Sequence, residues 1–246
     1  MKTPKTLIIG AGVLLAGRPA LKPGAIIYYL RSSFTLLAGI QNRGLLAKLL
    51  LHLPLDRPFE VRLKDGTRFS ALTLMDIWVL KETILDRTYE KVGVPLQAGW
   101  MVVDIGAAEG DFAVWAARQV NPGRVIAVEP FPGSVDLLKE NLAQNGIQNV
   151  VVHEGAVEAS RGSLHLNLVT GEAAQHSTTN RIQSTGQIEV QTITLADLFE
   201  RYALDQCDYL KLDCEGAEYG ILFGSSRDLL QRVSRICMEV HDGVTS

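Results

Sequence analysis

Short apolar runs alternate with longer segments of helical periodicity through the second half of the chain. Five runs are predicted to be strands: residues 101–105, 124–129, 150–154, 208–216 and 236–241. The segments between them that place apolar side chains three to four positions apart are residues 112–120, 134–145 and 195–202. Strands and helices that alternate in this way predict crossover connections and an α/β fold with a mostly parallel, doubly wound sheet.

A β-hairpin is predicted before this alternating region. Residues 59–64 alternate apolar and charged side chains, and the turn signal Asp65-Gly66 precedes a second short run at 67–69. Residues 76–88 then carry apolar side chains on one side of a predicted helix.

A second break in the alternation lies between residues 158 and 194. Two alternating runs, 163–169 and 188–194, flank a polar segment at 171–186. Polar loops near strand ends often recognise substrates, and His176, Ser177 and Asn180 are the candidate contacts to hydroxyl groups. A loop with no ligand role is the alternative.

The first 57 residues differ from the rest in charge. They hold eight Lys or Arg and one acid, Asp56, whereas the remainder holds 16 bases and 26 acids. Lys2, Lys5 and the apolar run at 7–17 resemble a signal peptide, but no clear cleavage site follows. Residues 7–12 resemble a dinucleotide-binding start, but this segment lacks a third glycine and a nearby acid for a ribose.

A third interpretation of this segment is a pair of helices, at about 25–38 and 45–53, with basic residues on their polar sides. Such helices pack on the rest of the protein, contact a partner, or lie on an anionic membrane surface as a peripheral contact. We therefore expect three units: residues 1–55, 56–98 and 99–246.

Chemistry is concentrated where the first predicted strand ends. Asp104 lies within that strand, and Gly106 and Gly110 follow it before the helix, as in a ligand-binding turn. Glu129 ends the next strand, where an acid can accept hydrogen bonds from both hydroxyls of a ribose. Because Asp104 and Glu109 flank the turn, a diphosphate would be repelled and a cationic nucleoside favoured. S-adenosylmethionine, with its ammonium, sulfonium and ribose, fits this pattern; a glycine-rich packing turn is the alternative.

Composition narrows the setting. The net charge of −3 gives no indication of a nucleic-acid partner. The three cysteines, Cys207, Cys214 and Cys237, are odd in number, and their spacing is not that of a metal site. Both observations predict reduced thiols in a cytoplasmic protein.

Taken together, these residues resemble the FkbM family of S-adenosylmethionine-dependent methyltransferases, over about residues 59–241. The resemblance is carried by Asp65-Gly66, residues 103–107 with Gly110, residues 128–130 with Asn141, residues 194–198, residues 211–218 and residues 239–241. It implies a Rossmann-like class I methyltransferase sheet and methylation of a hydroxyl on a sugar, a glycolipid or a polyketide-like small molecule. Two features depart from it. Ala108 stands where the family often has Asn, and the chain ends at Ser246, so the usual C-terminal strand pair is expected to be lacking. Either the sequence is a fragment or something else covers that sheet edge.

The candidate site residues follow from the pattern of acids and glycines at the strand ends and from the family resemblance. Asp213 is the first choice for the base that takes the proton of an acceptor hydroxyl, with His241 and Glu215 next. An ion pair with Lys211 is the alternative role for Asp213. The predicted cofactor-binding residues are Asp104, Gly106, Ala107, Glu109, Gly110, Glu129, Pro130, Ala156 and Val157.

No metal site is predicted, although a divalent ion bridging Asp213, Glu215 and Glu239 is an alternative for a diol acceptor. Two other functions stay open at this point: a non-catalytic nucleoside-binding or interaction module, and a nicotinamide-dependent reductase.

Overall fold

A computed structural model describes residues 6–10, 23–51, 53, 55–92, 94–168, 186–214 and 216–239. Its strands are β1 (Thr6–Gly10), β2 (Phe59–Arg62), β3 (Arg68–Ala71), β4 (Met101–Ile105), β5 (Arg124–Glu129), β6 (Val150–Glu154), β7 (Ala156–Val157), β8 (Gly162–Leu168), β9 (Gly186–Ile193), β10 (Tyr209–Leu212) and β11 (Arg235–Glu239). Its helices are α1 (Pro23–Gly39), α2 (Arg43–Leu50), α3 (Leu74–Leu80), a π-helix (Lys81–Leu85), α4 (Thr88–Val92), α5 (Asp111–Val120), α6 (Pro132–Gln144), α7 (Leu195–Arg201), α8 (Glu218–Gly224) and α9 (Arg227–Gln231).

The core of the protein is a parallel sheet in the order β1-β11-β10-β4-β5-β6. Successive side chains of β4 point to opposite faces, as the pleat of a strand requires. Val102 belongs to the same buried cluster as Phe112 and Ala116 of helix α5, whereas Val103 belongs to the cluster that contains Leu198 of α7. Both faces of the sheet are therefore apolar and covered by helices, which explains the near-continuous apolar runs in the sequence. The predicted doubly wound α/β fold is confirmed.

The sheet edge next to β11 carries a strand that was not predicted from the sequence. The only elements predicted for the first 55 residues were the helices at about 25–38 and 45–53, but Thr6–Gly10 forms a strand that pairs in parallel with Arg235–Glu239. The apolar run that also resembled a signal peptide or a dinucleotide-binding start thus contributes β1, and it covers the sheet edge that was expected to lack its strand pair. Residues 11–22 lie outside the described residues.

The predicted N-terminal helices are present as α1 and α2, and they lie against the hairpin β2–β3. Ile40 forms an isolated bridge with Leu63, and the Asn42 amide donates to the Glu60 carbonyl at 2.7 Å. The Arg62 backbone amide in turn donates to the Asn42 side chain at 3.0 Å. The division into three units stays a prediction.

The predicted helix at 76–88 is divided in two. It begins with a capping box, in which the Thr73 hydroxyl accepts from the Asp76 amide, and Lys81–Leu85 then adopts π-helical geometry. π-helical turns inside helices are frequent at functional sites.

A separate three-stranded sheet, β7-β9-β8, follows β6, and the polar residues His176, Ser177 and Asn180 between β8 and β9 lie outside the described residues. None of the helices among the described residues has the length and apolar character needed to cross a bilayer.

Candidate active site

The glycine turn between β4 and α5 lies at the carboxyl ends of the central strands. The backbone amides of Gly106 and Ala107 both donate to the Val128 carbonyl at 3.0 Å, which ties the turn to β5. Gly106 has a φ of +82°, and a Cβ there would lie 1.8 Å from the carbonyl oxygen of Asp213. Glycine is therefore required where the end of β10 approaches the turn.

Gly110 also has a packing role. Its φ is +87°, and a Cβ there would lie 2.2 Å from the Leu138 side chain of α6. Both glycines are thus explained by close packing of protein against protein, so their predicted role in ligand approach stays a prediction. Ala108 between them has a φ of +45°, a region that Asn tolerates better than Ala, which gives a physical reason why Asn is common at this position in the family that the sequence resembles.

Glu129 joins the glycine turn to the start of α6. One carboxylate oxygen, Oε2, accepts from the Ala108 amide at 2.9 Å, and Oε1 accepts from the Phe131 amide at 2.9 Å. Burial raises the pKa of Glu129 to about 7, and these two amide hydrogen bonds oppose the rise. Each carboxylate oxygen has a second lone pair, so the two backbone bonds leave capacity for the hydroxyls of a ribose.

Glu109 is buried inside the turn. Its carboxylate accepts from the Ser134 hydroxyl at 3.3 Å, and its backbone carbonyl accepts from the Asn141 amide at 2.9 Å. Burial raises the pKa of Glu109 to about 8, and the charge of Asp76 adds to the rise. Asn141 also accepts from the Ser70 amide at 2.7 Å, so it links the turn to the hairpin.

A buried cation lies beneath this acidic turn. Lys211 of β10 places its ammonium 3.1 Å from Asp104 Oδ1, 3.4 Å from Asp213 Oδ2 and 3.1 Å from the Gly106 carbonyl oxygen. Burial raises the pKa of Asp104 to about 6, and the charge of Lys211 opposes the rise. Burial alone lowers the pKa of Lys211, but the charges around it, that of Asp104 foremost, hold it well above its usual value.

Four more residues near Lys211 were not identified as site residues from the sequence. Its ammonium lies 5.8 Å from the ring centre of Tyr89 and 5.6 Å from that of Phe112. Asp111, at the start of α5, is buried and accepts from the Thr83 hydroxyl of the π-helix at 2.5 Å. An acid in the first turn of a helix is too common to single out Asp111. No local sequence pattern indicates that Thr83 bonds to Asp111 or that Tyr89 packs against Phe112.

The remaining predicted cofactor residues lie beside Glu129. Pro130 follows it directly, and the Gly155 amide donates to the Glu129 carbonyl at 3.1 Å. Ala156 and Val157, next in the chain, are buried in β7. The structure therefore brings the predicted cofactor residues together along the ends of β4, β5 and β6, although their contact with the cofactor stays a prediction.

Of the three candidate bases, only Asp213 lies within the described residues. Asp213 is partly exposed at the end of β10, and its ion pair with Lys211 shows that the alternative role is present. Glu215 and His241 lie outside the described residues. Within the described part of the chain, no cluster of three or more His, Cys, Asp or Glu side chains is arranged to hold a metal ion. The metal bridge that was considered includes Glu215, so it is not tested.

The residues present fit S-adenosylmethionine. Five acids, Asp104, Glu109, Asp111, Glu129 and Asp213, lie at or next to the turn with one buried cation, Lys211, among them. Asp104 Oδ2 is buried and has no hydrogen-bond partner among the described residues. An excess of carboxylates at low exposure favours a positively charged ligand and disfavours a diphosphate.

Comparison with known proteins agrees with this geometry. The family profile described as "Methyltransferase FkbM domain" matches residues 104–244. Methyltransferase sdnD of Sordaria araneosa is 25% identical over 206 residues, a match that covers 71% of this chain and 79% of that protein. The 31-O-demethyl-FK506 methyltransferase FkbM of Streptomyces tacrolimicus is 26% identical, with 74% of this chain and 81% of that protein covered. Hexuronic acid methyltransferase AglP of Haloferax volcanii is 24% identical, with 73% and 72% covered.

Proposed function

Because the chain belongs to the FkbM family of S-adenosylmethionine-dependent methyltransferases, we propose that it methylates a hydroxyl group on a sugar, a glycolipid or a polyketide-like small molecule. The protein is an enzyme of the class I methyltransferase fold, so the reductase and the non-catalytic module are set aside. What is proposed is the acceptor, the atom that is methylated, and the residues that bind the cofactor and take the proton.

The names of two relatives support an oxygen acceptor. One is a methyltransferase of a hexuronic acid, and the other acts on 31-O-demethyl-FK506. Both names describe molecules rich in hydroxyl groups, and one specifies methylation at oxygen. The identities of 24% and 26% leave the acceptor of this chain to be found by experiment.

Three carboxylates are assigned to the cofactor. S-adenosylmethionine supplies, when bound, an electrophilic methyl group on a sulfonium. Glu129 holds the ribose hydroxyls, while Asp104 and Glu109 stabilise positive charge near the glycine turn. Ala156 and Val157 supply apolar surface beside Glu129, as the nucleoside base requires. Most of the rate enhancement would come from alignment of the two reactants at near-attack distance, which is worth several kcal/mol.

The contact between Gly106 and Asp213 carries the assignment of the base. An added Cβ at Gly106 would lie 1.8 Å from the Asp213 carbonyl, so the backbone of Asp213 touches the turn that is assigned to the cofactor. The Asp213 carboxylate is about one quarter exposed, whereas that of Asp104 is fully buried. Of the two acids on Lys211, Asp213 is therefore the one that an acceptor hydroxyl can reach.

Lys211 has a consistent role in this arrangement. Its ammonium lies 3.4 Å from Asp213 Oδ2, so the ion pair fixes the position of that carboxylate just after β10. Asp213 would take the proton of the acceptor hydroxyl as the oxygen displaces S-adenosylhomocysteine from the methyl group. An alcohol is a weak nucleophile, so the loss of that proton acceptor should affect turnover more than binding.

Transfer of an isotopically labelled methyl group tests this function. The protein is incubated with labelled S-adenosylmethionine and a panel of hexuronic acid glycosides and macrolide alcohols that lack one O-methyl group. Mass spectrometry then locates the label. We expect a methyl ether on one acceptor class. A product labelled only at nitrogen or carbon, with parallel nitrogen and carbon acceptors in the same panel, would contradict the proposal.

A further inference from the structure

Helix α1 has a second apolar side, and its side chains are exposed in the described part of the chain. Four large side chains at spacings of three and four, Ile27, Leu30, Phe34 and Leu37, are 59%, 67%, 73% and 50% exposed. At 3.6 residues per turn they form one stripe along the helix. We call these four residues the α1 stripe.

The opposite side of α1 accounts for its attachment to the protein. The rings of Tyr28 and Tyr29 each lie 5.9 Å from that of Trp78, Ser32 is buried, and Leu36 packs against the core. Because the helix is already held by this side, the α1 stripe is not needed to anchor it.

Exposed apolar surface is concentrated in this part of the chain. Eleven large apolar or aromatic side chains of the described residues are exposed, and seven of them lie between residues 27 and 53. Leu51 and Leu53, directly after α2, belong to that group. Monomeric proteins rarely expose contiguous apolar patches of this kind unless they bind something.

Charge indicates what the α1 stripe contacts. The first 57 residues hold eight Lys or Arg and one acid, within a protein whose net charge is −3. Arg31 is exposed beside the stripe, and Arg43 and Lys48 are exposed on α2. A protein partner would need to be both apolar and acidic, whereas an anionic bilayer presents both properties over a wide surface.

We propose that α1 and α2 form a membrane-docking surface, in which the α1 stripe enters the interface of an anionic bilayer and the flanking basic residues contact its headgroups. The helix would then lie between the bilayer and the protein body. This proposal does not depend on the identity of the acceptor or on the assignment of Asp213. It would bring the active site close to acceptors that are themselves held in a membrane.

Vesicle sedimentation of the full-length protein tests the docking surface. Vesicles of phosphatidylcholine alone are compared with vesicles in which part of that lipid is replaced by phosphatidylglycerol. We expect binding to the anionic vesicles that weakens as salt is added. The double variant Leu30→Glu/Phe34→Glu should bind about tenfold more weakly or worse. Replacement of Arg31, Arg43 and Lys48 by Ser should abolish the preference for phosphatidylglycerol.

Phe223→Glu is the matched control, because Phe223 is 84% exposed on α8, in a different part of the chain. It should leave vesicle binding unchanged. If the double variant fails to fold, Phe34→Ser serves in its place. Absence of wild-type binding to anionic vesicles would overturn the proposal. So would a dimer in analytical ultracentrifugation that the α1 stripe variant dissociates, together with equal binding of wild type and variant to vesicles.

Discussion

The ammonium of Lys211 lies 3.1 Å from a carboxylate oxygen of Asp104, and both side chains are buried at the centre of the sheet. The two residues are direct neighbours in register on β10 and β4. Lys211 also contacts Asp213 and the Gly106 carbonyl, so one cation lies between two acids and is bound to the glycine turn.

Lys211→Met should therefore destabilise the protein strongly. Removal of one partner leaves a buried carboxylate without its counter-charge, which costs about 3–5 kcal/mol. The loss in free energy of unfolding, measured in urea, should be partly recovered in Lys211→Met/Asp104→Asn. Lys139→Met is the control, since Lys139 pairs with Glu154 at the surface and should cost less than about 1 kcal/mol. Equal effects of the two single variants would contradict this account of Lys211.

Gly106→Ala tests whether the glycine turn is held by packing. The new Cβ would meet the Asp213 carbonyl, and backbone cannot move aside as a side chain can. We expect a loss of about 3 kcal/mol or more, from the left-handed φ and the overlap together. Gly66→Ala is matched, because Gly66 has a φ of +91° and open space at its Cβ. It should lose only about 1–2 kcal/mol in the same urea titration. A Gly106→Ala protein as stable as Gly66→Ala would show that the turn is looser than the structure indicates.

The stability of the cofactor-free protein should fall as the pH rises from about 5 to about 8. Burial raises the pKa of Asp104 from 3.8 to about 6, that of Glu129 from 4.5 to about 7 and that of Glu109 from 4.5 to about 8. In this window the folded protein holds protons that the unfolded chain has released, so the stabilisation is lost as each folded-state pKa is passed.

Thermal unfolding at several pH values checks this slope. Because a cationic ligand favours the ionised carboxylates, S-adenosylmethionine should raise the melting temperature more at the alkaline end of the window. Glu109→Gln should flatten the slope most near its upper limit. An unchanged slope in that variant would count against the buried, protonated state of Glu109.

Asp213→Asn separates the two roles considered for this residue. The Asn side chain keeps the shape but cannot take a proton, so turnover on an acceptor should fall by about 10²–10⁴ while affinity for S-adenosylhomocysteine changes little. Asp208→Asn is the control at the other end of the same strand, where the carboxylate accepts from the Met101 amide. It should lower stability without lowering turnover of the folded fraction.

Two results would contradict the role of Asp213. One is full turnover in Asp213→Asn with a lowered melting temperature, which would make the ion pair with Lys211 its whole function. The other is a large loss in His241→Gln together with a pH–rate profile governed by a group near the ordinary pKa of histidine, which would make His241 the base.

The sequence predicted the sheet best where local and global signals agree. The predicted bounds of β5 and β6 match the structure, since both strands are short apolar runs between helices of clear periodicity. The strand β1 was missed because its pairing with β11 joins residues near opposite ends of the chain, and no local pattern reports such a pairing.

The sequence predicted which acidic residues belong to the candidate site, but not the contacts between the residues of the site. Asp104, Glu109 and Glu129 are visible as acids near a glycine turn. The position of Lys211 between Asp104 and Asp213 depends on the register of β10 against β4, which the sequence alone does not specify. The packing of Gly106 against Asp213 depends on the same register. From the sequence, the glycine at position 106 was therefore explained by ligand approach alone.

Calorimetric titration of S-adenosylhomocysteine into Glu129→Ala tests whether the cofactor binds at the glycine turn. Glu154→Ala is its control, because Glu154 is the register partner of Glu129 on β6 but is exposed and bound to Lys139. Each lost hydrogen bond to a charged group costs about 1.5–3 kcal/mol, so Glu129→Ala should bind at least about tenfold more weakly. Glu154→Ala should bind as the wild type does. Equal affinity in wild type, Glu129→Ala and Glu154→Ala, with all three proteins folded, would contradict the assignment of the cofactor to this turn.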